Sequence, residues 1–552
     1  MKEIQSDTHG AATQPAALPL ADDMQEQMRE KLLGLFGTLE EIVPGEKEIT
    51  ERIFSIAQNF LRAKEVTSGV DLKTLHTKFQ DSQIPEGSFD IGGYLNYLTD
   101  NVIAHSMRTA SPRFIGHMTS ALPYFVRALA TLTAAMNQNT VKMETSKVIT
   151  SYERQALGMI HRLIYNFPED FYIEHTQHSE STLGIVVSGG TLANITALWC
   201  ARNSSLGATI DFAGVEKEGL HAALNYYGYQ GAVVIGSRLM HYSFEKAADV
   251  LGIGTNNLVK VDVDDHNRID LAALRRTVET CRAQNKHIIA IVGVAGATDS
   301  GSIDPLSEMA DIAGEVGTHF HVDAAWCGPI LFSEQHKHKL NGIDRADSVT
   351  IDGHKQLYLT MGVGMLMLRD PRLAKVIEKQ ARYIIRKGSF DLGRRSLEGS
   401  RPDRALLLHA ALSIIGRRGY EFLIDEGIRK TQYLADIVRA RPEFELLIEP
   451  EINILNYRYI PSRWREKAAH KQLDRTENEL INDFNVRLQR LQRQAGDSFV
   501  SRTTLNVHSY GDDVPIVALR AVLANPLTTE ADIESVIDEQ RRIGDRLEAE
   551  KG

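Results

Sequence analysis

Between residues 180 and 370 the chain alternates short β-branched runs with amphipathic stretches, and no other feature of the sequence restricts its fold as much. The runs are Gly184–Ser188, Ala232–Gly236, Leu258–Asp262, His287–Val294, His319–Asp323, Ser348–Asp352 and Val363–Leu368. Segments of helical periodicity, such as Leu192–Arg202, Ser243–Leu251 and Leu271–Gln284, separate most of them. Alternation of this kind predicts an α/β fold, a mostly parallel seven-stranded sheet with helices on both faces. Right-handed crossovers bring the carboxyl ends of the strands to one edge, where such sheets bind ligands. The last two runs are joined by a connection too short for a crossover helix, so an antiparallel strand is predicted there.

The flanks read differently. Residues 1–20, with Pro15 and Pro19, are expected to be loose. Met28, Leu32, Leu33, Leu35 and Phe36 then recur at helix spacing, and helical pattern returns at Gly93–His105. Residues 1–105 are expected to form a helical arm that packs on a second subunit, 106–435 a large domain, and 436–552 a small α+β domain. A long helical pattern from Ala405 to Arg439 leads into strand-like runs at Phe444–Glu449, Ile452–Tyr459 and Thr503–His508, with helical segments at Glu477–Gln494 and Glu530–Arg546.

Composition removes several classes. Hydrophobic residues make 43% and charged residues 24%, the balance of a soluble globular chain. A net charge of -10 argues against a nucleic-acid partner but not against a small anion met by a local cationic pocket. The apolar run Ala121–Met136 contains Arg127 and is too short to span a bilayer, so no membrane partner is expected. No basic segment precedes a strong apolar run at the N-terminus, and Cys200, Cys281 and Cys327 lie far apart without a CxxC pair. These features lead to the expectation of a reducing compartment, the cytoplasm, and no cysteine metal site.

Five segments carry chemistry-bearing residues at predicted strand ends. Ser348–Asp352 runs into Gly-His354-Lys355, where the lysine is either a solvated charge or an amine held in a pocket and able to form a Schiff base with a carbonyl. His319-Phe-His321-Val-Asp323-Ala-Ala325-Trp326 admits three readings: a core strand with a capping aspartate, a metal site, or a carboxylate paired with a heteroaromatic nitrogen cation. Ser188-Gly189-Gly190-Thr191 opens a helix after a strand, which suits either a structural turn or a phosphate cradle, and neither the Walker nor the GxGxxG pattern is present. His241 and Thr298 follow two further strands. One sheet edge would gather all five.

This order resembles the pyridoxal-phosphate-dependent group II decarboxylases, the family of glutamate, aromatic-amino-acid and cysteine-sulfinate decarboxylases. The matching stretches are Ser-Pro-Arg-Phe-Ile-Gly-His-Met-Thr-Ser (111–120), Ser-Gly-Gly-Thr-Leu-Ala-Asn (188–194), His-Tyr-Ser (241–243), His-Val-Asp-Ala-Ala-Trp (321–326), Asp-Gly-His-Lys (352–355) and Leu-Arg-Ala-Val-Leu-Ala-Asn-Pro (519–526). Gly-His-Met-Thr-Ser-Ala-Leu-Pro (116–123) and Glu-Gly-Ser-Arg-Pro (398–402) are most similar to the bacterial aspartate 1-decarboxylase branch.

The resemblance implies the fold of the aspartate-aminotransferase-like, type I enzymes, a homodimer with shared active sites, and pyridoxal 5'-phosphate as cofactor. It implies Lys355 as the Schiff-base lysine, Asp323 as partner of the pyridine nitrogen, and His241 and Ala325 against the two ring faces. Gly190, Thr191 and His354 would hold the phosphate, and Thr298 would sit near the ring. Arg520 would bind the substrate α-carboxylate, with His117, Thr119 and Ser120 lining the substrate pocket. The implied reaction is α-decarboxylation of an acidic amino acid, aspartate first, with glutamate and 2,4-diaminobutyrate as rivals. A metal-dependent hydrolase built on His319, His321 and Asp323 is the competing class, and a cofactor-binding regulator without turnover a third. One departure stands out: the family's mobile loop carries a tyrosine where Arg-Lys-Gly-Ser-Phe390 places a phenylalanine, which leaves His241 as the candidate proton donor.

Overall fold

In the computed structural model, residues 25–30, 35, 46–87, 90–381, 388–511 and 514–550 are described. The segment 1–20 and the positions Leu32, Leu33 and Phe36 lie outside them.

The chain divides into two units by its internal contacts, one comprising residues up to Arg62 together with Lys78–Ala104, the other Ala63–Thr77 with His105 onward. In the first, helix Glu46–Arg62 and helix Ile91–Asn101 pack together. The Asp90 carboxylate caps the second helix by accepting from the Gly93 N–H at 2.9 Å. Phe54 and Ile53 remain exposed on helix Glu46–Arg62.

The second unit holds the predicted sheet. Its strands are β1 (Gly184–Val187), β2 (Gly231–Ser237), β3 (Leu258–Val261), β4 (Lys286–Val294), β5 (His319–Asp323), β6 (Ser348–Asp352) and β7 (Gly364–Leu368), in the spatial order β1-β7-β6-β5-β4-β2-β3. β7 is antiparallel to both neighbours, and every other pairing is parallel. β1, β6 and β7 are buried along their whole length and β4 along most of it, because helices cover both faces, so they read as continuous apolar runs. Phe320, Val322 and Ile351 sit in one core, and Val234, Ile289 and Val292 in another.

The same unit contains a four-stranded antiparallel sheet, ordered β10-β11-β9-β8, from β8 (Phe444–Ile448), β9 (Ile454–Tyr459), β10 (Ser501–Asn506) and β11 (Pro515–Val522). β11 lies inside this sheet and was not among the strand-like runs. Its Ala-Leu-Arg-Ala-Val stretch is rich in helix formers, and a short apolar run has no period to separate strand from helix. The long helix also departs from expectation. Ala405–Ala440 breaks at Gly416, whose φ of 67° lies in the left-handed region that an L side chain disfavours.

Candidate active site

Five strands deliver the residues at or just past their carboxyl ends to one place. A cavity of about 360 Å³ is lined by Ser188 to Leu192 after β1, Leu239, His241 and Tyr242 after β2, Val294, Gly296 and Thr298 at the end of β4, Asp323, Ala325 and Trp326 at the end of β5, and Asp352, His354 and Lys355 at the end of β6. Lys355, Asp323, His241, Thr298, Ala325, His354, Gly190 and Thr191 all line it. The sheet edge therefore gathers the five chemistry-bearing segments.

The glycine turn shows why these residue types are needed. Helix Gly190–Ser205 begins at the cavity, so its first N–H groups have no acceptor inside the helix and its dipole favours an anion. A Cβ on Gly190 would lie 2.9 Å from Asp352 Oδ2 and 3.3 Å from the Ala325 Cβ. Only a residue without a side chain keeps the backbone open there. His354 borders the same turn, and its Nδ1 donates to the Val363 carbonyl at 2.8 Å. Burial holds its imidazole below the ordinary value, so a second proton on Nε2 requires an anion beside it.

Lys355 places Nζ 3.0 Å from Asp352 Oδ2. Asp352 is itself buried, and its other oxygen has no hydrogen-bond partner. Asp323 accepts from the Asn194 amide at 2.9 Å through Oδ2 and from the Ala325 N–H at 3.2 Å through Oδ1. His241 Nδ1 accepts from the Ser243 N–H at 3.2 Å, which leaves its ring proton on Nε2. Burial holds this imidazole below the usual range, against the opposing pull of Asp323.

Arg520 reaches the site from β11. It is buried, and Nη1 donates to the Thr298 carbonyl at 2.6 Å, while Nε has no partner. The segment 113–116 is stitched beside it: Ile115 N–H donates to the Phe499 carbonyl at 3.0 Å, and Val522 N–H to the Ile115 carbonyl at 2.6 Å. A Cβ on Gly116 would strike the Ser501 nitrogen. This stitching carries His117 toward Arg520 and Lys355. Desolvation by surrounding protein, then the charges of Arg520 and Lys355, hold His117 below the ordinary imidazole value. Thr119 meets His117 Nδ1 at 3.2 Å, and Ser120 turns toward the Ala121 carbonyl. Met118, between them, lines the cavity, whereas His117, Thr119, Ser120 and Arg520 are not among its lining residues.

Two readings of the sequence change. His319 and His321 do not face the cavity as ligands. Both ring nitrogens of His321 are spent, on Ser348 Oγ at 2.8 Å and Asn194 Oδ1 at 3.0 Å. Among the described residues no group of three histidine, cysteine, aspartate or glutamate side chains could hold a metal ion. Phe390 lies away from the cavity, in a separate small pocket, with the Arg154 guanidinium 5.9 Å over its ring. Asn194 and Asp352 carry no role in the sequence reading. The sequence shows only that Asn194 lies one helical turn beyond Gly190 and so shares its face.

The cradle, the lysine, the carboxylate beneath and the cavity between them fit a phosphorylated pyridine aldehyde. Residues 81–460 match the pyridoxal-dependent decarboxylase conserved domain. The chain belongs to the pyridoxal-dependent decarboxylase family. It is 46% identical over 508 residues to the aspartate 1-decarboxylase of Aliivibrio fischeri, covering 91% of each chain. It is 27% identical to the cysteine sulfinic acid decarboxylase of Rattus norvegicus, covering 81% of this chain and 85% of that one. The crystal structure of mouse CSAD superposes with a TM-score of 0.79 at 25% identity, covering 90% of this chain and 98% of that one. This decarboxylase is a carboxy-lyase that uses pyridoxal phosphate. Among its described residues no helix is long and apolar enough to cross a membrane.

Proposed function

We propose that this decarboxylase removes the α-carboxylate of L-aspartate and releases carbon dioxide and β-alanine. The observation that carries the substrate is the 46% identity to an aspartate 1-decarboxylase across 91% of both chains. Electrostatics support an acidic side chain. His117 feels Arg520 and Lys355 as neighbouring cations, so a substrate ammonium side chain would meet repulsion where a carboxylate meets attraction.

The site residues take these roles in the proposal. When bound, pyridoxal phosphate supplies a carbonyl that condenses with an amine and a ring that accepts electrons as the carboxylate departs. Lys355 would be the amine that meets that carbonyl, with Asp352 Oδ2 3.0 Å from its Nζ. Asp323, fixed by Asn194 and Ala325, would pair with the pyridine nitrogen. Gly190, Thr191 and His354 would hold the phosphate, with Ala325, His241 and Thr298 beside the ring. Arg520 orients the α-carboxylate, and His117, Thr119 and Ser120 surround the side chain. His241 would present its Nε2–H as the proton donor to the α-carbon, the ring regaining a proton from solvent, a task for which Phe390 has no acidic hydrogen.

We further propose a cytoplasmic homodimer with shared sites, organised as an arm (1–105), a large domain (106–435) and a small domain (436–552). Three free, buried cysteines suit a reducing compartment. Tyr124 and Leu132 on helix Tyr124–Met136, and Phe54 on helix Glu46–Arg62, are large apolar side chains left exposed in the single chain. Light scattering should return twice the chain mass. The activity is tested by measuring carbon dioxide and amine from L-aspartate, L-glutamate and L-2,4-diaminobutyrate with added cofactor. The proposal expects β-alanine as the favoured product and is overturned if another amine forms faster at equal substrate concentration.

A further inference from the structure

From Asn194, at the cavity wall, a chain of buried side chains runs behind Asp323. Asn194, on helix Gly190–Ser205, is fully buried and uses its whole hydrogen-bonding capacity. Its Nδ2 donates to Asp323 Oδ2 and to Ser243 Oγ, both at 2.9 Å. Its Oδ1 accepts from Thr350 Oγ1 at 2.7 Å and from His321 Nε2 at 3.0 Å. The Asn194 amide is therefore oriented from three sides before it reaches the carboxylate.

The direction of the remaining bonds follows by elimination. Asn194 Oδ1 can only accept, so His321 must carry its proton on Nε2. Burial drives the His321 imidazole down to about 3, so the ring is neutral and has no second proton. Its Nδ1 then accepts from the Ser348 hydroxyl at 2.8 Å. Ser348 Oγ, having given its hydrogen, accepts from His319 Nε2 at 2.7 Å. The bonds point one way, from His319 at the start of β5 to Asp323 at its end. β5 and β6 lie parallel with His321 opposite Ser348 and Asp323 opposite Thr350, so the sheet register itself sets the spacing of the relay.

We propose that Asn194 and His321 are positioning residues for Asp323: the neutral, Nε2-protonated His321 locks the Asn194 amide so that it presents N–H, not C=O, to the carboxylate. A flipped amide would set its oxygen against a carboxylate oxygen. That contact is repulsive and would turn the Asp323 carboxylate away from its aim at the cavity. The relay thus holds one Asp323 oxygen and keeps the carboxylate aimed. This inference rests on the reading of Asp323 as the partner of the pyridine nitrogen.

The test uses His321→Leu, which removes both ring nitrogens, and His321→Gln, whose amide restores the donor toward Asn194, with Asp323→Ala as reference. Cofactor dissociation constants and the pH midpoint of the visible absorption band are read for each. The relay predicts that His321→Leu weakens cofactor binding by about tenfold to a hundredfold and moves the band midpoint, while His321→Gln stays near wild type. A His321→Leu protein with wild-type affinity and midpoint overturns the relay. If Asp323→Ala also leaves both unchanged, the reading of Asp323 fails first; if Asp323→Ala is damaged and His321→Leu is not, the relay fails alone. Should His321→Leu not fold, nitrogen-15 NMR of histidine-labelled wild-type protein without cofactor decides, with the His321 resonance identified through His321→Gln. A neutral Nε2–H tautomer persisting at pH 5 supports the relay, and an Nδ1–H tautomer or a ring protonated at that pH contradicts it.

Discussion

The large sheet carries two clusters of charged side chains, and they differ in what their charges face. In the first, Lys355, Asp323 and His241 border about 360 Å³ of open cavity. In the second, Arg154, Arg395 and Arg401 line a pocket of about 20 Å³, and Arg394 is buried next to Arg395. There Arg401 forms a two-pronged ion pair with Glu153, Arg394 and Arg395 share Glu378, and Arg154 donates to the Thr176 and Ser181 carbonyls at 2.9 Å. Burial alone does not separate the two, since Asp323 and Arg401 are about equally hidden. Open space does. The guanidinium of Arg401 is closed off by Glu153, whereas Lys355, although paired with Asp352, and Asp323 border a cavity that a ligand can enter.

Perturbing both clusters sharpens this contrast. Lys355→Ala should cost about 10⁴-fold or more in carbon dioxide release in the folded fraction. Arg401→Leu strands the Glu153 carboxylate inside the protein and should lower stability by about 3–5 kcal/mol, read by denaturant unfolding, while kcat of the folded fraction changes less than about twofold. Equal damage to kcat in both variants would break the comparison. Arg520→Lys keeps the charge but loses the planar fork, so KM for the amino acid should rise by about tenfold to a hundredfold with a smaller change in kcat.

The smallest effect is in pH. His117 and His241 are both held below the ordinary imidazole value, so each stays neutral as the pH falls past 6.5 and protonates only at its lowered value. The acid limb of kcat/KM should therefore lie below pH 6.5. Stability should follow the same sign through His161, which burial pushes down to about 4: its contribution is complete above 6.5 and is lost as the pH falls toward 4.

Much of this organisation is legible in the amino-acid sequence. The seven strands follow from β-branched runs, and the antiparallel β7 from a connection too short to cross over. Lys355, Asp323, His241 and the glycine turn are legible because each stands just past a strand end, and parallel strands share one carboxyl edge. What stays hidden depends on partners distant in sequence. Asn194 gains its meaning from Asp323, His321 and Thr350, which lie 127 to 156 residues away. β11 takes a strand conformation because β9 and β10 pair with it on both sides, overriding a helix-prone composition. The Arg401–Glu153 pair spans 248 residues and offers no local signal.

The central claim is that Lys355 is the amine presented to the cofactor in this cavity. Borohydride reduction of the cofactor-loaded protein, followed by peptide mass mapping, tests it directly. The account predicts a phosphopyridoxyl group on the peptide that contains Lys355 and on no other lysine. Its attachment elsewhere, or its absence from a fully active preparation, would contradict the assignment of the site.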